Sequence, residues 1–238
     1  RFFFSTAAAL VAGLATAFLD AGAAAGLTAT FLTAGMLTTG LATAALSLGL
    51  PQVSFARQKA DPFKISLAEW SVNRLIFGKK LDHLDFALEA KKHGINAVEY
   101  VNQFFMDKAQ DMAYLKEMNT RCQNEGITQV LIMVDREGML GARSDADRMQ
   151  AVENHKKWIE AAKFLGCHTV RVNGYSDIAW SQNPADAAEA SKLVSDGIRK
   201  LCEFAEPHGL NIVIENHGGF SSNGKWLADT IRNADHPL

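Results

Sequence analysis

The sequence predicts an α/β fold, a parallel barrel of alternating strands and helices, over residues 57–238. Helical patterns ending at Gly94, Gly126, Gly166 and Gly209 are each followed by a short apolar strand. Strands that alternate with helices of this length form a parallel sheet with right-handed crossovers. No glycine-rich phosphate loop follows any of these strands, which disfavours a nucleotide-binding doubly wound sheet.

Each predicted element follows from a local pattern. A first strand is expected from Ile65 to Trp70, with no helix before it. The later strands begin just after a glycine, because glycine adopts the left-handed conformation that commonly ends a helix. The fourth helix begins at Asn183-Pro184, a capping residue followed by proline, and a last helix is expected from Lys225 to Ala234. These elements make about five of the eight units of a closed TIM barrel, so we expect an incomplete barrel.

Residues 1–56 form a leader of different composition, rich in Ala, Gly, Thr and Leu, in which Asp20 is the only acidic residue. The uncharged stretch Leu27 to Leu50 is long enough to span a bilayer, and Ser54-Phe55-Ala56 is similar to a small-x-small cleavage site. Arg1 followed by phenylalanines resembles part of a twin-arginine signal. The expected location is periplasmic or secreted, and a membrane anchor is the alternative.

Composition excludes some partners. A formal net charge of -2 provides no basic surface for nucleic acid or an anionic membrane. The three cysteines fit no metal-binding spacing and are expected to be small buried hydrophobic residues. Four histidines in or next to amphipathic helices are expected to be solvated: His83, His93, His155 and His208.

Polar residues collect where the predicted strands end, the place where parallel barrels carry their reactive groups. Glu215 follows the apolar run Ile212-Val213-Ile214, and a carboxylate there needs a cation, a metal or several hydrogen-bond donors. Glu215 is therefore the first candidate for a catalytic or metal-binding residue, with a structural ion pair to Arg171 as the alternative. Asp135 is a candidate for either a ligand contact or a turn.

Five further residues are candidates for binding a substrate. Glu99 ends the apolar run of the second strand, and His217 precedes two glycines that let the backbone approach a ligand. Asn173 and Tyr175 could donate hydrogen bonds to a polyol, or only cap the following loop. Trp70 offers an apolar face to a sugar, with core packing as its alternative. An exposed loop histidine is likewise the alternative for His217.

The segment Ile212 to Gly219, which reads I-V-I-E-N-H-G-G, together with Ala97-Val98-Glu99, resembles the xylose-isomerase-like TIM-barrel superfamily. The resemblance covers Lys64 to Leu238. It implies that Glu215 ligates a divalent metal ion (Mn, Mg, Co or Zn) and, as in the ketose epimerases of that superfamily, serves as an acid/base carboxylate. The other family ligands lie on strands six to eight. We therefore expect an incomplete metal site in this chain.

The resemblance further implies a metal-dependent isomerase or epimerase that acts on a sugar or sugar phosphate through an enediolate. The alternatives are a non-catalytic carbohydrate-binding barrel and a lyase or dehydratase on the same scaffold. An endonuclease-IV-type activity is disfavoured, because that branch uses histidines where this sequence has Glu99, Tyr100 and Asp135. The expected partner is a small sugar or sugar-derived molecule, and no nucleic acid is expected. Membrane contact is expected through the leader alone. A homo-oligomer that covers the open sheet edge is possible.

Overall fold

In the computed structural model, residues 63–237 are described, and the predicted leader lies outside them. Five parallel strands form one sheet in chain order: β1 (Leu67–Ala68), β2 (Ala97–Val101), β3 (Thr128–Met133), β4 (Thr169–Asn173) and β5 (Asn211–Glu215). Six α-helices accompany them: α1 (Asn73–Phe77), α2 (Phe86–Lys92), α3 (Met112–Glu125), α4 (Asp145–Leu165), α5 (Pro184–Ala205) and α6 (Gly224–Ala234). The prediction of a partial parallel α/β barrel is confirmed.

The glycines that precede four of the strands all adopt the conformation expected of them. Their φ angles are 73° at Gly94, 64° at Gly126, 77° at Gly166 and 66° at Gly209. This left-handed region is strained for residues that carry a Cβ, so glycine there lets each helix stop and the chain turn into the next strand. The local signal in the sequence thus fixes where the strands begin.

The first strand is shorter than predicted. Only Leu67–Ala68 pairs with β2, through Val98 and Glu99, because the chain turns into a 3-10 helix at Glu69–Val72. Glu69 is buried by this turn, whereas Trp70 stays 42% exposed. The alternative of core packing for Trp70 is therefore wrong.

The two faces of the sheet differ in chemistry. The side chains of Val98, Ile132, Val170 and Val172 are completely buried in the core between the sheet and the helices. Successive residues of a strand point to opposite faces, so Arg171 and its neighbours in register lie on the other, inner face. That face carries the polar groups of the candidate site.

The connection from β3 to α4 is held firmly against α5. A Cβ on Gly197 of α5 would lie 2.0 Å from the carbonyl oxygen of Leu140, so only glycine fits this close approach. Arg148, which is buried, donates to the carbonyl of Ala142 at 2.7 Å and to Asp196 on α5 at 2.7 Å. The loop that begins just after the β3 strand end is thereby fixed in place.

Two of the four histidines predicted to be solvated are buried. His155 lies inside α4 with its Nδ1 2.7 Å from the carbonyl oxygen of Ala151. His83 lies in the 3-10 turn His83–Asp85 before α2, not on the polar face of a helix. The prediction for the cysteines is confirmed, since Cys122, Cys167 and Cys202 are buried and form no disulfide.

Candidate active site

The carboxyl ends of β3, β4 and β5 are joined by one guanidinium group. Arg171, on the inner face of β4, places Nη1 2.9 Å from Asp135 Oδ1 and Nε 2.8 Å from Glu215 Oε2. The second contact is an ion pair whose N–H is poorly aligned for a hydrogen bond. Asn173 donates to Asp135 Oδ1 at 2.7 Å. The sequence alternative of an Arg171–Glu215 pair is thus present, and it lies inside the polar cluster.

Asp135 is also held from the β2 side. Asn102, fully buried, donates from Nδ2 to the Asp135 carbonyl and accepts from the Asp135 N–H, both at 2.9 Å. Gln103 donates to Oδ2 of the same carboxylate at 2.9 Å. Burial would raise the pKa of Asp135, but the Arg171 charge and the hydrogen bonds from Gln103 and Asn173 lower it below its ordinary value. Asp135 is therefore a firmly ionised anchor.

The exit from β5 presents a second, more exposed group of side chains. Glu215 is 39% exposed, and its Oε1 lies 3.4 Å from Nδ1 of His217. Tyr175 donates from its hydroxyl to the carbonyl of His217 at 2.9 Å. Ser221 accepts from the His217 N–H at 3.0 Å, which closes the turn through Gly218 at φ 89°. The histidine is exposed but held in place by its backbone.

Three aromatic side chains cluster after β1 and β2. The ring centroids of Trp70 and Phe104 lie 5.9 Å apart, and those of Phe77 and Phe104 lie 5.0 Å apart. Phe104 directly follows Gln103, which binds Asp135, so the cluster lies next to the polar site in the chain. Trp70 and Phe77 are exposed, which makes this an apolar surface at the carboxyl ends of the strands.

The predicted site residues fall into three groups. Glu215, Asn173, His217 and Tyr175 lie together with Arg171 and Asp135, as described above. Trp70 lies in the aromatic cluster. Glu99 differs, because it lies in the middle of β2 and accepts from Ser66 Oγ at 2.5 Å. The structure thus places Glu99 deeper along the sheet than the strand end at which it was expected.

Sequence reasoning missed three residues that hold the site. They are Glu69, which lies inside the predicted first strand, and Asn102 and Gln103, which follow the predicted second strand beyond Glu99. Glu69 is completely buried and accepts from the Val101 N–H at 2.9 Å. A carboxylate inside an apolar predicted strand was a usable signal for Glu69. The link from Gln103 to Asp135 depends on a pairing of strand ends that the sequence does not display.

The described residues do not complete a divalent metal site. Such sites need about four to eight donors, according to the metal. Within residues 63–237 no group of three or more His, Cys, Asp or Glu side chains converges to hold a metal ion. Glu215 and His217 offer two donors, and the Arg171 guanidinium beside Glu215 opposes a cation.

No helix among residues 63–237 is long and apolar enough to cross a membrane.

Solved structures with the same fold include several enzymes. The structure of IolI protein with a bound zinc atom has a TM-score of 0.57 and 17% identity, covering 73% of this chain and 60% of that chain. D-psicose 3-epimerase, solved in the presence of D-fructose, has a TM-score of 0.53 and 15% identity, covering 74% and 61%. The probable 3-DHS dehydratase AsbF from Bacillus anthracis has a TM-score of 0.53 and 16% identity, covering 74% and 60%.

These identities establish a shared fold, and the chain spans about three fifths of the length of each of these proteins. No curated protein matches the sequence. The family described as xylose isomerase-like TIM barrel matches residues 87–237, which is more than half of the chain. The chain therefore belongs to the xylose isomerase-like TIM barrel family.

Proposed function

We propose that this chain belongs to an enzyme that isomerises or epimerises a small sugar by moving a proton next to a carbonyl group. The observation that carries the proposal is the setting of Glu215. Arg171 Nε lies 2.8 Å from its Oε2, while Oε1 lies 3.4 Å from Nδ1 of His217 on a side chain that is 39% exposed. A carboxylate with one anchored and one accessible oxygen is suited to act as a general base.

The surrounding groups are suited to a polyol. His217 and Asn173 offer polar atoms at the same strand ends, and the phenol oxygen of Tyr175 can accept a further hydrogen bond. Trp70 offers an apolar ring face after β1, at the other edge of the sheet. A sugar presents hydroxyl groups along its edges and C–H groups on its faces, so this mixture of side chains matches it. Divalent metal use stays a prediction from the family resemblance, because the described residues supply only Glu215 and His217 toward such a site and Arg171 pairs with Glu215.

Deuterium incorporation tests the proposal directly. The protein is incubated in D₂O with a panel of ketoses and aldoses, with and without Mn²⁺, Mg²⁺, Co²⁺ or Zn²⁺. An enediolate mechanism places deuterium on the carbon beside the carbonyl even when no net product accumulates. We expect exchange with the native enzyme to which this chain belongs, and a loss of about 100-fold or more in its Glu215→Gln variant. Glu203→Gln, on the exposed surface of α5, is the matched control and should exchange like the native chain.

A carbohydrate-binding module without catalysis is the second candidate. It is favoured by one observation, the exposed aromatic cluster of Trp70, Phe77 and Phe104. Saturable sugar binding without deuterium exchange would support that candidate and contradict an isomerase. Release of water from the substrate, followed by mass spectrometry, would instead indicate a dehydratase.

A further inference from the structure

Glu69 and His83 form a buried polar pair that the proposed chemistry does not use. Glu69 Oε1 faces His83 Nε2 at 3.3 Å, and both side chains are almost entirely inaccessible to solvent. With Nε2–H as the donor the two atoms are not aligned for a hydrogen bond, and neither atom has another partner among the described residues, so the pair requires a proton on the carboxyl group instead. The rings of Phe105 and Tyr100 lie 4.6 Å and 6.0 Å from the imidazole. Burying a polar pair without hydrogen bonds costs free energy, so the presence of this pair needs a structural explanation.

The surroundings favour the uncharged form of both groups. Burial raises the pKa of Glu69 well above its ordinary value, against the opposing hydrogen bond from Val101. Burial also lowers the pKa of His83 to about 4, against the charge of Asp82. His83 Nδ1 lies 2.8 Å from the hydroxyl of Tyr114. A carboxylic acid can then direct its proton toward Nε2 while Nδ1–H donates to the phenol.

The other carboxyl oxygen of Glu69 supplies a hydrogen-bond acceptor that a longer first strand would have supplied. β1 ends at Ala68, so beyond that point β2 has no strand carbonyl on this side to pair with. Glu69 Oε2 accepts from the Val101 N–H at 2.9 Å and so extends the pairing to the last residue of β2. The next two residues, Asn102 and Gln103, are those that hold Asp135.

We infer that Glu69 and His83 are positioning residues: the carboxyl group, steadied by the imidazole, fixes the end of β2 and through it the Asp135–Arg171–Glu215 cluster. This inference rests on the proposed function, because it gives Glu69 and His83 the role of holding the proposed catalytic cluster in position. The pair acts as a neutral hydrogen-bonding unit, so an amide of the same shape can replace the carboxyl group and an alanine cannot.

The test compares Glu69→Gln with Glu69→Ala in the full chain. A glutamine keeps an oxygen for the Val101 N–H and presents an N–H to His83, whereas alanine removes both. We expect hydrogen–deuterium exchange at the amides of Val101 and Asp135 to be about tenfold faster in the alanine variant. In the glutamine variant it should stay within about twofold of the native rate. The amide of Ile159, inside α4, should be unaffected in both.

Two further readouts distinguish positioning from general stability. The infrared spectrum of the native chain at neutral pH should contain a band from a buried protonated carboxyl group that Glu69→Gln lacks and the surface control Glu89→Gln retains. The rate of deuterium transfer to the sugar should fall about tenfold in Glu69→Ala, with sugar affinity changed less, and recover in Glu69→Gln.

Equal loss of amide protection in the glutamine and alanine variants would overturn the inference, as would an infrared spectrum unchanged by Glu69→Gln. The infrared comparison does not depend on Glu69→Ala, which could fail to fold. If no sugar undergoes exchange with the native chain, the proposed function fails, while the amide and infrared readouts still decide the role of the pair.

Discussion

Replacing Arg171 by methionine removes the one cation that joins the ends of β3 and β5. Methionine keeps much of the length of the side chain and has no charge, so the change acts mainly on electrostatics. Asp135 loses a partner at 2.9 Å and Glu215 loses one at 2.8 Å. Both carboxylates then remain on the same face of the sheet without a neutralising charge.

The expected loss can be worked from burial and the remaining contacts. Removing one partner of a buried ion pair costs about 3–5 kcal/mol of stability. Asp135 has a side chain 20% exposed and keeps its hydrogen bonds from Gln103 and Asn173, so its share lies below that range. Glu215 is 39% exposed and is solvated by water when the pair is lost. We therefore expect Arg171→Met to lower the free energy of unfolding by about 2–3 kcal/mol at pH 7.

A double-mutant cycle measures how much of this loss passes through Asp135. Urea denaturation is followed for the native chain, Arg171→Met, Asp135→Asn and the double variant. We expect a coupling of about 2 kcal/mol, because a neutral amide at position 135 no longer needs the guanidinium. Arg232→Met is the matched control, since Arg232 is 72% exposed in its pair with Asp229, and should change stability by less than about 0.5 kcal/mol. A coupling below about 0.5 kcal/mol would refute the assignment of Arg171 as the central ion-pair partner.

Three further predictions follow from other parts of the chain. The pKa of His83 lies at about 4 in the folded state against 6.5, so through this group the unfolded state binds more protons as pH falls. The raised pKa of Glu69 acts in the opposite direction. Urea denaturation of the native chain and His83→Gln should therefore differ by a pH-dependent loss of about 3 kcal/mol between pH 6.5 and 4 that only the native chain shows. Gly197→Ala should cost at least about 2 kcal/mol because its Cβ meets Leu140, whereas Gly224→Ala, with open space, should cost less than about 0.5 kcal/mol by thermal denaturation. If the leader is an export signal cleaved after Ala56, N-terminal sequencing of the periplasmic protein should begin at the following residue, and an uncut leader in the membrane fraction would contradict this.

The fold could be predicted because its signals are local. Each of the glycines at positions 94, 126, 166 and 209 marks a backbone conformation that few other residues adopt, and the φ angles confirm all four. The strand after each glycine is a short apolar run of consecutive residues, so it can be recognised in the sequence directly. The same locality explains the error at β1, where burial of Glu69 against the end of β2 turns the chain out of the sheet earlier than the apolar pattern indicates.

The candidate site could be predicted only in part, because its contacts join distant strands. The apolar run before Glu215 marks that residue in the sequence, but the bonds between Gln103 and Asp135 connect residues 32 positions apart. His83 shows the same limit from the other side. Its neighbours Leu81 and Leu84 suggest an amphipathic helix with the histidine outside, whereas a 3-10 turn directs its ring into the core. Burial of a polar side chain depends on the residues that pack over it. These come from other elements, so the spacing of residues along one element does not predict the burial.

The arrangement of hydrogen bonds separates the roles of the two carboxylates. Asp135 receives bonds from Arg171 and Asn173 on one oxygen and from Gln103 on the other, and its lowered pKa makes it a weak base. Glu215 has Oε2 paired with Arg171, while its Oε1 has His217 Nδ1 at 3.4 Å and its side chain is 39% exposed. A group that must exchange a proton with a substrate needs a lone pair that the protein has not already occupied. Asp135 therefore anchors the cluster, and the proposed function assigns the role of base to Glu215.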